Sequence, residues 1–154
     1  MDANFINSVL LAFSNVLPQI GFQQIQKGTV SLAESMVVNS GVMVSIGIVG
    51  AVKGTVLVGM DVDGAKRFAS AMMMGMPVTE LDAMAQSTIS EMGNMVCANA
   101  CTSFSQAGMA GLDISPPAVL LGSGGVVKLP VPQTILVKFS VDDIPVDVYV
   151  GMNE

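Results

Sequence analysis

From Thr79 to about Ala107 the chain runs without a proline, and Glu91 is the sole charge between Asp82 and Asp113. Such a run predicts one long helix. It opens with Thr79-Glu80-Leu81-Asp82, which reads as an N-cap threonine with a carboxylate three residues on. At about 100° per residue, Ala85, Ile89, Met92 and Val96 gather on one side and need something apolar to cover them. Ser87, Glu91 and Asn94 stand at i, i+4 and i+7 and form a narrow polar stripe elsewhere on the rod. Ala98 follows in line with them, small enough to let a partner approach closely. The fold must therefore seat one face of this helix and leave another in the open.

The stripe Ser87-Thr88-Ile89-Ser90-Glu91-Met92-Gly93-Asn94 sits at the centre of that helix. A carboxylate and a carboxamide one turn apart can grip a cation and orient a water. Neither is a good nucleophile, and no base stands beside them in sequence. On spacing alone, Glu-x-x-Asn on a helix equally describes an ordinary solvated face.

With 154 residues, the chain is expected to form one domain with a proper core. Its residues are 51% hydrophobic and 12% charged, so either the core is generous or some surface is covered by another subunit. A net charge of −6, with six Lys and Arg scattered from Lys27 to Lys138, provides no basic patch for nucleic acid or anionic lipid. Met1-Asp2-Ala3-Asn4 lacks the basic start of a signal peptide. Two uncharged runs, Ser35–Val52 and Met92–Leu112, are about long enough to span a bilayer. The first is broken by Asn39-Ser40-Gly41, and the second carries Asn94, Asn99, Thr102, Ser103, Ser105 and Gln106. Neither suits lipid, and a cytoplasmic protein is expected. Histidine is absent, which removes its metal sites and its acid-base chemistry. Cys97 and Cys101, four apart on the long helix, read as small packing residues in a reducing compartment.

Asn4 to about Val16 reads as a first helix, with Phe5, Val9, Leu10, Phe13 and Val16 at helical spacing and Pro18 beyond. Ile20 to Leu32 looks extended, interrupted at Gly21 and Gly28. From Gly41 the pattern alternates, with Val42, Val44, Ile46 and Ile48 on one face and smaller residues on the other. Gly50-Ala51-Val52-Lys53-Gly54 turns the chain, and Thr55–Met60 returns it as a hairpin. Asp61-Val62-Asp63-Gly64 leads into a second helix ending at Gly75. Met72, Met73, Met74 and Met76, among thirteen methionines, are expected to fill the core. Gly108 to Gly111 breaks the long helix. Ile114–Gly122 then reads as a proline-initiated extended piece running into a flexible Ser123-Gly124-Gly125. Thr134–Val141 and Pro145–Val150 flank Asp142-Asp143 as a closing hairpin. No βαβ repeat or phosphate-cradling glycine loop is present. The expected fold class is α+β, an α/β sandwich in which long helices pack on a largely antiparallel sheet.

Taken in order, these pieces resemble the CheX/CheC/FliY family of chemotaxis phosphatases, and are most similar to the single-site CheX type. Ser87-x3-Glu91-x2-Asn94 matches that family's [Asp/Ser]-x3-Glu-x2-Asn helix. The match continues through Phe5-Ile6-Asn7-Ser8-Val9, Val44-Ser45-Ile46-Gly47-Ile48-Val49-Gly50 leading to Gly54-Thr55-Val56, Ala69–Gly75, Ile114-Ser115-Pro116-Pro117 and Gly122. The resemblance implies hydrolysis of the aspartyl phosphate on a CheY-like response-regulator receiver domain. It implies that Asn94 orients the attacking water and that Glu91 pairs with the receiver lysine holding the phosphoryl group. Ser87 is a further motif member without an assigned role. It also implies a homodimer, no cofactor or metal of the chain's own, and Mg²⁺ carried by the partner receiver. The first helix has Asn4 and Asn7 without a preceding glutamate, so one active site per chain is expected. The alternative is a non-catalytic receiver-binding adaptor or dimerisation module on the same scaffold.

Overall fold

The computed structural model describes residues 3–50, 53–106, 108, 111–129 and 134–153. The chain begins with α1 (Ala3–Val16), a 3₁₀ turn (Leu17–Ile20), and the strands β1 (Ile25–Ala33), β2 (Met36–Val38), β3 (Gly41–Val49) and β4 (Lys53–Asp61). It continues through α2 (Val62–Met72), α3 (Ala83–Gln106), β5 (Asp113–Ile114), β6 (Ala118–Leu121), β7 (Val126–Lys128), β8 (Thr134–Val141) and β9 (Ile144–Asn153). Seven strands form one antiparallel sheet in the order β1-β8-β9-β4-β3, with β5 and β6 both along the far edge of β3. The expected architecture of helices on an antiparallel sheet is present.

The core forms where period-two strands meet period-3.6 helices. Val42, Val44, Ile46 and Ile48 of β3 join alternate residues of β4, β8 and β9 beneath Phe5, Val9 and Phe13 of α1 and Ile89, Met92 and Val96 of α3. Phe5 stacks on Phe104 at 5.2 Å between ring centroids, tying α1 to the last turns of α3. Each fully buried aliphatic contributes about 2 kcal/mol of transfer free energy. The opposite sheet face is also covered at one end. There Met43 and Leu57 pack with Val37 and Leu129 under a two-stranded β2–β7 ribbon. The side of β3 expected to carry small residues thus includes Met43, and the ribbon itself was not foreseen in the periodicity.

Several local expectations change. Ile20 belongs to the 3₁₀ turn, and the extended stretch starts at Ile25, after Gly21 at φ 117°. Gly28 lies in a register shift between Lys27 and Val30, so the glycine does interrupt β1. Its added Cβ would lie 2.9 Å from the Lys138 carbonyl oxygen. Ser123-Gly124-Gly125 is pinned rather than loose. The Asn39 N–H donates to the Gly125 carbonyl at 2.7 Å, and Gly124 N–H donates to the Asn39 carbonyl at 2.8 Å. The buried Asn39 amide also donates to the Leu120 carbonyl and accepts from Gly41 N–H. Ala51 and Val52 of the expected turn, Ala107 at the expected helix end, and Met109 and Ala110 of the expected break lie outside the described residues.

The Ser115-Pro116-Pro117 motif has a structural explanation. Prolines cannot donate to the ladder at the edge of β3. Ser115 compensates on both sides of Gly47: its N–H donates to the Gly47 carbonyl, and its hydroxyl accepts the Gly47 N–H, both at 2.8 Å. In the closing hairpin, Asp142 and Asp143 adopt φ of 47° and 66°, the left-handed twist a two-residue turn requires. The Asp142 carboxylate accepts from the N–H groups of Gln23 and Gln24, so the turn also anchors the approach to β1.

Candidate active site

The site is carried by α3, and its first turn is set by Asp82. That carboxylate accepts the Ala85 N–H at 2.9 Å, the bond of an N-cap residue to its N3 position. The expected Thr79 cap is therefore corrected to Asp82. Thr79 has a carboxylate three residues on, but α3 begins at Ala83, so it is the Asp82 side chain that lies in reach of the first free N–H groups. The Gln86 amide adds a second clasp by donating to the Leu81 carbonyl at 2.8 Å.

The buried side of α3 consists of Ala85, Ile89, Met92, Gly93, Val96, Cys97, Ala100 and Phe104. Gly93 is the point of closest approach to the sheet. A Cβ built there would lie 2.7 Å from Ile46 Cδ1 and 2.9 Å from Val44 Cγ1. A mid-helix glycine costs about 1 kcal/mol relative to alanine. Here it lets the helix backbone rest directly on β3, between the two polar residues of the stripe. Sequence periodicity did not single out Gly93; its signal was a glycine inside an otherwise well-formed helix.

On the other side of the rod Ser87, Glu91 and Ala98 are exposed, and Asn94 is half-buried. Glu91 and Asn94 are separated by about 4.5 Å of axial rise, on one helical face. Among the described residues, the side chains of Ser87, Glu91 and Asn94 have no hydrogen-bond or ion-pair partner within the chain. Thr88 and Thr102 turn their hydroxyls back onto the Met84 and Ala98 carbonyls, at 2.8 and 3.1 Å. The stripe thus offers one carboxylate and one carboxamide, fixed by a buried helix and free to meet a group from outside. In α1, Asn7 is exposed but the helix contains no acid to accompany it.

The remaining chemistry-bearing residues fall elsewhere. Cys97 is buried, and desolvation, with a smaller contribution from Cys101, pushes its thiol up to about 12. Burial and then Asp113 raise Cys101 as well. Both thiols remain protonated and act as packing groups. Among the described residues, no three His, Cys, Asp or Glu side chains gather as a metal ligand set. No described helix is long and apolar enough to cross a membrane. The methionine cluster divides. Met72 and Met73 are half-buried, whereas Met74 and Met76 project into solvent instead of filling the core.

The arrangement of helices on a large antiparallel sheet is that of CheC/CheX-like structures. A family model described as chemotaxis phosphatase CheX matches residues 42–140, and the chain belongs to that family. It is 28% identical over 138 residues to the CheY-P phosphatase CheX of Thermotoga maritima, covering 85% of this chain and 88% of that protein. A CheC-like superfamily protein from Shewanella sp. PV-4 superposes with a TM-score of 0.88 at 22% identity, over 100% of both chains. The crystal structure of a CheX-CheY-BeF3-Mg²⁺ complex from Borrelia burgdorferi matches with a TM-score of 0.79 at 26% identity. That match covers 97% of this chain and 98% of the other.

Proposed function

We propose that this chain hydrolyses the aspartyl phosphate of a CheY-like receiver domain, with Glu91 and Asn94 inserted into the receiver's phosphorylation site. The observation that carries this is the outward, unpartnered acid-amide pair on a rigid helix, in a member of the CheX family. An aspartyl phosphate is an acyl phosphate whose leaving group is already a carboxylate. Cleavage needs a water held in line with the phosphorus and neutralised charge, not a strong base. The Asn94 carboxamide accepts from the water and aims its oxygen. The water oxygen bonds to phosphorus as the phosphorus–carboxylate oxygen bond breaks, and the aspartate leaves as carboxylate. The water's proton passes to the phosphate product or to solvent. Glu91 pairs with the receiver lysine that holds the phosphoryl group, fixing the docked geometry. The chain contributes no cofactor of its own, and the Mg²⁺ belongs to the receiver. Ser87 lies one turn before Glu91 and belongs to the docking face.

The direct test follows phosphate loss from a receiver phosphorylated with a small-molecule donor, with and without this protein. Acceleration supports the phosphatase; binding without acceleration supports the adaptor. Glu91→Ala is expected to raise KM for the phosphorylated receiver about tenfold or more, because it leaves the receiver lysine unpaired in the contact. An unchanged KM removes Glu91 from the interface.

We further read the chain as a single CheX-like domain that works in the cytoplasm as a homodimer. The reduced pair Cys97 and Cys101 suits a reducing compartment. Val30 and Leu32 of β1 are exposed on an edge strand paired only with β8 among the described strands, and Met36, Val38 and Val126 of the ribbon are exposed as well. Sedimentation is expected to give twice 15.9 kDa. Leu32→Glu is expected to shift the population toward monomer. A monomeric parent protein at working concentration refutes the dimer.

A further inference from the structure

The catalytic stripe does not end at Ser87. One turn further toward the start of α3 the same face presents Met84, 63% exposed, and Met76, 58% exposed, lines the same cleft. These are large apolar side chains in water. Met74, at φ 61°, is the left-handed residue that closes α2, with the Gly75 N–H donating to the Ser70 carbonyl at 2.8 Å. Met76 and Met84 line one cleft of about 190 Å³ together with Pro77, and Glu80 and Asp82 stand at it. Met76 follows that closure in the link between α2, which ends at Met72, and α3, which starts at Ala83, and its side chain stays out of the core.

Its placement suggests a use. Met84 lies seven residues from Glu91, about 10 Å along the helix axis. A stable protein contact covers roughly 800 Å² per partner, a disc about 16 Å in radius. A receiver centred on Glu91 and Asn94 therefore covers Met84 and reaches the cleft beside it. Building on the phosphatase assignment, we propose that the ledge of Met76 and Met84 is the apolar part of the receiver-docking surface. It accepts an apolar side chain flanked by basic residues, from the receiver surface beside its phosphorylation site. The unbranched thioethers can repack around partner side chains of different shape. Glu80 and Asp82 select for positive charge around the inserted group. The ledge thus determines which receiver is accepted, while Asn94 determines the rate once it is seated.

The experiment compares the parent protein with the double variant Met76→Ala/Met84→Ala and with the conservative Met76→Leu/Met84→Leu. It measures kcat and KM on a phosphorylated receiver, and Kd for the same receiver held in a stable beryllofluoride-bound form. The alanine pair is expected to raise KM and Kd about tenfold, with kcat unchanged and far-UV circular dichroism preserved. The leucine pair is expected to restore most of the affinity. Unchanged KM and Kd in the alanine pair overturn the ledge while leaving the phosphatase intact, as does a loss confined to kcat. A parent protein that binds without turnover still tests the ledge through Kd. A parent that neither binds nor dephosphorylates receivers overturns the phosphatase assignment and the ledge together.

Discussion

Asn94→Ala is expected to reduce acceleration of phosphate loss by about a hundredfold or more, leaving affinity for the phosphorylated receiver close to that of the parent protein. A water that is no longer aimed along the phosphorus–oxygen axis loses the gain from positioning, and misplacement on the scale of an ångström costs that much. The side chain is half-buried and makes no hydrogen bond among the described residues, so its removal orphans no partner there. Thermal unfolding should therefore coincide with that of the parent. A retained rate at matched receiver concentration removes Asn94 from the chemistry.

Gly93→Val tests the seat on which that chemistry depends, and is expected to destabilise the fold by about 3 kcal/mol. The new Cβ would enter space held by Val44 Cγ1 and Ile46 Cδ1, at 2.9 and 2.7 Å. Val44 is β-branched and both residues are buried in the central sheet, so little can move aside. At about 2–4 °C per kcal/mol for a chain this size, Tm should fall by about 10 °C. Gly93→Ala should lose less, because overpacking is offset by about 1 kcal/mol of helix propensity. The valine variant should also lower the rate, because lifting α3 from β3 shifts Glu91 and Asn94 together. Asn94→Ala thus affects rate alone, and Gly93→Val affects rate and stability. An unchanged Tm in Gly93→Val contradicts the close approach between helix and sheet.

Local periodicity carried much of this structure. The β3–β4 and β8–β9 hairpins, α1, and the placement of α3's apolar and polar faces were legible because each is set by side chains close in sequence. The spacing of Glu91 and Asn94 was legible for the same reason. The pairing of β1 with β8 was not, because no local pattern joins strands so far apart. The β2–β7 ribbon was missed because three-residue strands leave too short an alternation to detect. Thr79 reads as the cap because a carboxylate follows three residues on, whereas that carboxylate, Asp82, is itself the cap, which hydrogen-bond geometry reveals and spacing does not. Met74 and Met76 are exposed where core filling is expected, because they lie in and after the left-handed closure of α2, a position hydropathy does not register.

The long-range pairing has a consequence during synthesis. Among the described strands, Ile25–Ala33 pairs only with residues 134–141, so about a hundred residues must be translated before its partner exists. At roughly 5–20 residues per second, that leaves it waiting on the order of ten seconds. During that interval an extended segment bearing Val30 and Leu32 is open to neighbouring nascent chains. The register shift near Gly28 belongs to the pairing with residues 134–141, so until the closing hairpin emerges the cation of Lys27 is the segment's one charge opposing pairing with a like strand.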